Sequence, residues 1–128
     1  MTHKETVEAI YAAFQRGDIS FIVSQLSPNV FWRQPASLPW GGDYNGPAEV
    51  GSFFAKLNEG VETTGFEVEE NIEAAGQIIS YGFYESTYRA TGKPSRARFV
   101  FRWQFEGGKV SNYEALLDSA PIVAAMLP

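Results

Sequence analysis

Residues 97–105 read Ala-Arg-Phe-Val-Phe-Arg-Trp-Gln-Phe, and aromatic side chains occupy every second position from Phe99 onwards. Successive side chains of a β-strand point to opposite faces, so this spacing predicts a strand with one aromatic face. The segments 91–94 (Thr-Gly-Lys-Pro) and 106–109 (Glu-Gly-Gly-Lys) have the composition of hairpin turns. The stretch is therefore predicted to be one strand of an antiparallel sheet.

Alternating patterns of the same kind predict three further antiparallel strands, over residues 66–72, 78–90 and 110–117. An earlier strand is predicted over residues 30–34, where the proline that follows limits its length. The second half of the chain is therefore expected to be nearly all β-structure.

The segment 35–46 contains two prolines and three glycines and is predicted to be an irregular loop. Such a loop would present Trp40 and Tyr44 to whatever part of the protein it covers. These two side chains are interpreted either as a lid over a binding site or as contacts with a dimer partner.

Two helices are predicted before the first strand. Apolar residues three and four positions apart mark residues 2–16, and Thr2 with Glu5 fits a capping box at the start. Asp18 is the expected N-cap of a second, shorter helix, and Ser27-Pro28-Asn29 is expected to end it.

A third helix is predicted from Pro47 to Gly60, because proline suits a first helical turn and glycine ends helices. A short terminal helix follows the last strand, with Asp118 or Ser119 as its cap. Helices gathered on one face of a curved antiparallel sheet form an α+β layer structure. We therefore predict a single domain over residues 1–128, in which three N-terminal-half helices cover the sheet and leave a conical cavity.

The composition excludes several kinds of functional site. No cysteine is present, and His3, the only histidine, lies near the N-terminal end. Thiolate and multi-histidine metal sites and a Ser-His-Asp triad are therefore not expected, and we predict neither metal nor cofactor.

The net charge of −5 is unlike the basic footprint of a nucleic-acid-binding protein. No stretch reaches the roughly 18 apolar residues of a membrane span, so a cytoplasmic location is expected.

Four groups of segments, spread over almost the whole chain, resemble a known family. They are Gly17-Asp18; Phe31-Trp32-Arg33-Gln34-Pro35 with Leu38-Pro39-Trp40-Gly41-Gly42 and Tyr44-Asn45-Gly46-Pro47; Thr91-Gly92-Lys93-Pro94; and Gly108-Lys109-Val110 running to Leu117-Asp118-Ser119. Their order and spacing resemble the SnoaL-like, ketosteroid-isomerase-like group of nuclear transport factor 2-like proteins. The resemblance implies a cystatin-like α+β cone and a homodimer formed through the sheet. Isomerases, dehydratases, polyketide cyclases, epoxide hydrolases and non-catalytic subunits share this fold, so it does not define the function.

The catalytic residues of two subgroups are not matched in this chain. Steroid isomerases of this fold place a tyrosine and two aspartates at positions that resemble Ile10 (beside Tyr11), Gln34 and Phe101. The epoxide-hydrolase relatives carry an Arg-x-Asp and a later aspartate. The corresponding residues here are Tyr84, Ser86 and Ala115. The resemblance therefore implies neither of these two chemistries.

Four polar residues are candidate catalytic groups: Tyr84, Gln34, Glu70 and Asp118. The Gln34 amide could hold a ligand carbonyl or enol, or it could satisfy loop backbone at the strand end. Tyr84 could donate a hydrogen bond to an oxyanion, or it could be a structural tyrosine with its hydroxyl in water.

Glu70 occupies one of the alternate strand positions that otherwise carry apolar side chains. Burial there would raise the pKa of its carboxyl group and suit it to acid or base chemistry. A β-bulge, or an arginine across the sheet, explains the same pattern. Asp118 is interpreted either as an acid at the cavity rim or as the N-cap of the last helix.

The candidate ligand-binding residues are mostly aromatic, and each could also be simple core. They are Trp32, Trp40, Tyr44, Ser86, Phe101, Trp103 and Tyr113. Arg96, Arg98 and Arg102 are expected on the opposite sheet face, paired with Glu85 or Glu114.

Two main hypotheses about function follow. The first is a cofactor-independent isomerase, cyclase or lyase that acts on a small apolar carbonyl compound in an aromatic cavity. The second is a non-catalytic module that binds a hydrophobic ligand or acts as a dimeric interaction domain.

Overall fold

The computed structural model describes all 128 residues, which form four α-helices and one six-stranded β-sheet. The helices are α1 (His3–Gln15), α2 (Ile19–Ser24), α3 (Gly46–Gly60) and α4 (Ala120–Met126). The strands are β1 (Leu26–Gln34), β2 (Gly42–Asn45), β3 (Val61–Ala74), β4 (Gln77–Tyr88), β5 (Pro94–Glu106) and β6 (Lys109–Leu117). None of the helices is long and apolar enough to cross a membrane.

The sheet has the order β2-β1-β6-β5-β4-β3, so residues 97–105 lie in β5 between β4 and β6. Strands β3 to β6 pair antiparallel, as the alternation and the hairpin turns predicted. Strand β1 runs parallel to β6. Parallel neighbours need a long crossover connection, and the chain between these two strands, which includes α3, is long enough to provide it. The predicted α+β cone, with three helices from the N-terminal half on a curved sheet, is confirmed.

The local signals for helix ends are confirmed. Thr2 and Glu5 form a reciprocal capping box at the start of α1, with hydrogen bonds of 2.9 and 3.1 Å. Gly17 adopts a φ of +75°, which favours glycine and ends this helix. The Asp18 carboxylate accepts a hydrogen bond from the Phe21 backbone N–H at the start of α2.

The segment 35–46 is more regular than its proline and glycine content predicted. Its last residues form β2, which pairs with β1 and places Tyr44 opposite Trp32. Trp40 and Tyr44 are only 3% and 6% exposed. Trp40 faces the cavity that the loop covers, whereas Tyr44 does not line it. Both side chains are buried within this chain, which does not support the alternative that they contact a dimer partner. The Tyr44 hydroxyl donates a hydrogen bond to the Trp40 backbone carbonyl (2.8 Å), so the segment is stabilised by a contact between two of its own residues.

One short segment differs from the prediction, whereas the predicted cap of the last helix is confirmed. Residues 27–29 do not end α2 but lie inside β1, at an interruption of its pairing with β6. Ser119 occupies the N-cap position of α4 without a capping side-chain bond. The preceding Asp118 supplies that bond instead, because its carboxylate accepts from the Ala120 backbone N–H at 3.3 Å.

Candidate functional site

A cavity of about 80 Å³ lies between the concave face of the sheet and the helices. Its 17 lining residues come from all four helices, five of the six strands and, for Trp40, the loop between β1 and β2, and all except Gln34 are aliphatic or aromatic. The lining residues are Ile10, Tyr11, Phe14, Ile22, Trp32, Gln34, Trp40, Phe53, Phe54, Leu57, Phe66, Tyr84, Phe101, Trp103, Tyr113, Leu117 and Ile122. A chamber of this composition is typical of sites for small apolar molecules.

Three rings from three neighbouring strands form one side of the cavity. Trp32 on β1 stacks on Tyr113 on β6, with the ring centroids 4.0 Å apart. Trp103 on β5 lies opposite Tyr113 in the sheet and 4.4 Å from its ring. Phe101 also lines the cavity, two residues before Trp103 on the same strand face. The aromatic face of β5, which the alternation of residues 97–105 predicted, therefore points towards the cavity.

Polar atoms are few in this part of the molecule. Burial raises the pKa of the Tyr113 hydroxyl well above its usual value, and the nearby Tyr11 raises it further, while an interaction with the Gln34 side chain opposes the rise. Gln34 itself is half-buried. The indole nitrogen of Trp32 is buried and has no hydrogen-bond partner.

Tyr11 is a site residue that the sequence interpretation did not select. Its hydroxyl accepts a hydrogen bond from the Trp103 indole N–H and donates one to the Ser80 hydroxyl, both at 2.7 Å. Ser80 donates in turn to the Asn71 side chain at 2.5 Å. Burial is the main cause of a raised pKa for Tyr11. The available signal was a tyrosine in the apolar stripe of α1, since a buried hydroxyl needs a partner.

Tyr84 lies on the cavity wall and is 7% exposed. Its hydroxyl oxygen is 2.7 Å from the Thr63 hydroxyl, so the interpretation that it lies in water is wrong. Burial is the main cause that raises the pKa of Tyr84 to about 12. Ser86 faces inward on the same strand and is buried, but it contacts Ser95 (3.4 Å) and does not line the cavity.

Glu70 does not lie on the apolar face, so the interpretation of a buried acid or base is wrong and the alternative of a β-bulge is confirmed. A bulge between Val68 and Glu70 shifts the register of β3 against β4 by one residue. Glu70 is therefore exposed and accepts a hydrogen bond from the Tyr81 hydroxyl (2.5 Å), which raises the pKa of Tyr81. Asn71 takes the inward position and reaches Ser80.

Asp118 is exposed and does not line the cavity. It borders an open surface groove where β1 and β6 end. Gln34 and Leu117 line both this groove and the cavity. Trp40 lines the cavity, whereas Tyr44 is buried behind it.

The outer face of the sheet carries charged pairs. Arg96 lies 3.6 Å from Glu85, and Arg102 lies 3.5 Å from Glu114, so both predicted partners are confirmed. The Arg96 guanidinium also lies 3.5 Å from the centroid of Phe83. No group of three or more His, Cys, Asp or Glu side chains is arranged to hold a metal ion.

Residues 7–113 match the family model of the SnoaL-like domain. The chain is also similar to an NTF2-like protein from Burkholderia thailandensis, with 29% identity, a TM-score of 0.93, and coverage of 100% of this chain and 99% of that chain. An NTF2-like protein from Burkholderia pseudomallei is 27% identical, with a TM-score of 0.90 and coverage of 98% and 97%. TerC, co-crystallized with polyporic acid, is 26% identical, with a TM-score of 0.79 and coverage of 94% and 95%. No curated protein matches the chain.

Proposed function

The chain belongs to the SnoaL-like domain family, and on that premise we propose that its cavity binds a small, flat, apolar molecule carrying a carbonyl group. The observation that carries this proposal is the cavity itself, which is enclosed by rings and aliphatic side chains and has Gln34 as its one amide. Flat ligands suit aromatic walls because offset stacking adds to the gain from apolar burial.

The size of the cavity limits the ligand. An engineered apolar cavity of about 150 Å³ binds benzene, whereas this cavity is about 80 Å³. A ligand of one or two rings therefore requires side chains to move, and the half-buried Phe101 and Leu117 are placed to do so. The relative co-crystallized with polyporic acid supports a small organic ligand for this fold.

The proposed reaction is a cofactor-independent isomerisation, cyclisation or lyase step through an enol or enolate. Gln34, Tyr84 and Tyr113 bring an amide and two hydroxyls to the cavity wall. Burial raises the pKa of both tyrosines, so each stays neutral near pH 7. A neutral hydroxyl suits hydrogen-bond donation to a developing oxyanion better than removal of a proton.

A non-catalytic ligand-binding module is the second candidate, and one observation favours it. The lining residues include no carboxylate, histidine or lysine. The cavity therefore offers shape and hydrogen bonds but no side chain suited to act as general base near neutral pH.

Binding is tested by thermal shift with polyporic acid and a panel of one- and two-ring ketones. A ligand that binds only the folded state raises the melting temperature. Leu117→Trp, which fills the cavity, should abolish the shift. Val123→Trp, at an exposed position of α4 that does not line the cavity, should preserve it. A panel without any shift, or a shift that survives Leu117→Trp, contradicts the proposal.

Catalysis and simple binding are separated by incubating the protein with a bound ketone in D₂O. An enzyme that forms an enol exchanges protons next to the carbonyl for deuterium, which proton NMR records as signal loss. Tyr84→Phe should slow this exchange. Binding without exchange or product formation supports the non-catalytic module.

We also propose a homodimer formed through the outer face of the sheet. Leu116 is 57% exposed and lies in one cross-strand row with Val100 and Tyr81. The ion pairs Arg98–Glu69 and Arg102–Glu114 lie beside this row. Light scattering should report a dimer that Leu116→Glu converts to monomer, and a wild-type monomer would contradict the proposal.

A further inference from the structure

Trp32 carries a buried hydrogen-bond donor that no group in the protein satisfies. The residue is 2% exposed, and its indole nitrogen has no partner. By contrast, the indole N–H of Trp103 donates to Tyr11 at 2.7 Å. An indole nitrogen can only donate, and buried polar groups in native proteins nearly always have a partner.

The surroundings of Trp32 are aromatic. Its ring stacks on Tyr113, and it meets Phe54 and Trp103 edge to face, with centroids 5.7 and 5.8 Å away. Trp32 also lines the cavity. The indole nitrogen is itself buried, so an occupant of the cavity supplies its acceptor only when neighbouring side chains move, as the size of the cavity already requires of a ligand.

Gln34 lies two residues further along the same strand face and lines the same cavity. Alternate strand residues are about 7 Å apart, which is the scale of one aromatic ring with a substituent. Tyr84, on the far strand β4, already has the Thr63 hydroxyl as its partner. The unsatisfied donor thus lies on the β1 side of the cavity.

We propose that the Trp32 indole N–H binds the carbonyl oxygen of the ligand and so determines which apolar molecules the cavity accepts. This inference rests on the proposed ligand-binding function. It identifies the ligand class as flat compounds with an acceptor oxygen, oriented with that oxygen towards β1. Trp32 acts as a specificity-determining residue, because an indole N–H holds an oxygen without giving up its proton.

The expected consequence is discrimination between two ligands of the same shape. 1-Indanone carries the acceptor oxygen, and indane has a methylene group in its place. Indane leaves the Trp32 donor unpaired, so we expect 1-indanone to bind about tenfold to a hundredfold more tightly. Trp32→Phe should remove most of this preference. Trp40→Phe, which also changes an aromatic lining residue, should retain it.

A second measurement reads the hydrogen bond directly in the wild-type protein. The three tryptophans give three indole N–H signals in a proton–nitrogen NMR spectrum. 1-Indanone should move the Trp32 signal further downfield than indane does. The two probes should move the Trp103 signal alike, because Trp103 lines the same cavity but already donates to Tyr11. The Trp32 signal is assigned from Trp32→Phe, or from its contacts with Tyr113 if that variant does not fold.

The outcomes separate this inference from the proposed function. If 1-indanone binds and Leu117→Trp blocks it, but the Trp32 signal stays in place, the cavity is a ligand site and the role of Trp32 is wrong. Equal affinity for the two probes leads to the same conclusion. If neither probe binds, both the inference and the proposed site are overturned.

Discussion

Trp32 and Tyr113 lie opposite each other in the parallel β1–β6 pair, and their rings stack with centroids 4.0 Å apart. This contact joins the first strand of the chain to the last. The same two rings line the cavity. Ligand binding and the pairing of β1 with β6 therefore depend on the same side chains. A ligand in the cavity should raise the free energy of unfolding through this contact.

The hydroxyl of Tyr11 should be important for stability. It satisfies the indole N–H of Trp103 and donates to Ser80 inside the core. Tyr11→Phe leaves the Trp103 donor unpaired, so we expect a loss of about 1–3 kcal/mol in the free energy of unfolding, measured by urea denaturation. Tyr81→Phe is the matched control, because its hydroxyl binds only the exposed Glu70. Equal losses for the two variants would contradict the buried network.

Two glycines of α3 should respond oppositely to alanine. A Cβ at Gly60 would lie 2.5 Å from the Trp40 ring, whereas a Cβ at Gly51 meets nothing within 4 Å. Gly60→Ala should destabilise the protein by about 1–3 kcal/mol through overpacking. Gly51→Ala should stabilise it by about 0.5–1 kcal/mol, because alanine favours helix interiors. Thermal unfolding of the two variants checks the pair, and a stabilised Gly60→Ala would show that Trp40 does not pack there.

The bulge in β3 predicts different roles for two adjacent residues. Asn71→Ala removes the acceptor of the Ser80 hydroxyl and should cost about 1–2 kcal/mol. Glu70→Ala changes only an exposed contact and should stay within about 0.5 kcal/mol of wild type. Chemical denaturation of both variants gives the comparison. The reverse order would mean that Glu70, not Asn71, faces inward.

Stability should fall at alkaline pH partly through Tyr84. Burial raises the pKa of Tyr84 to about 12 in the folded protein, whereas the unfolded chain ionises near pH 10. Below pH 10 both states keep the proton, so this contribution is unchanged. Above pH 10 the unfolded state loses the proton first, and the free energy of unfolding decreases by about 2–3 kcal/mol by pH 12. Urea denaturation between pH 8 and 12 should show a smaller decrease for Tyr84→Phe, and identical pH profiles would contradict the assignment.

Short-range patterns predicted most of the fold. The aromatic alternation of residues 97–105 defined a strand and its inward face, and the Thr2–Glu5 pair and Asp18 marked helix starts. These signals are reliable because each depends on residues within one strand or one helical turn. Strand β2 was missed because its four residues follow a proline- and glycine-rich segment and are held in place by pairing with β1.

Site positions were harder to predict because they depend on contacts between distant residues. A single bulge moved Glu70 to the outer face and Asn71 to the inner one, and an alternating pattern does not reveal where such a residue is inserted. Tyr11 was visible as an apolar helix residue, but its bonds to Ser80 and Trp103 exist only when α1 lies across β4 and β5.

The sequence by itself determined the α+β class, the helix starts and the inward aromatic face of β5, because side-chain spacing and local hydrogen bonds control these features. Only the tertiary structure decided that β1 runs beside β6, that Trp40 is buried and that Trp32 is left without a hydrogen-bond partner. These features depend on how strands distant in sequence pack together. The aromatic residues could therefore be counted from the sequence, but the cavity between them arises from the packing of helices on the sheet.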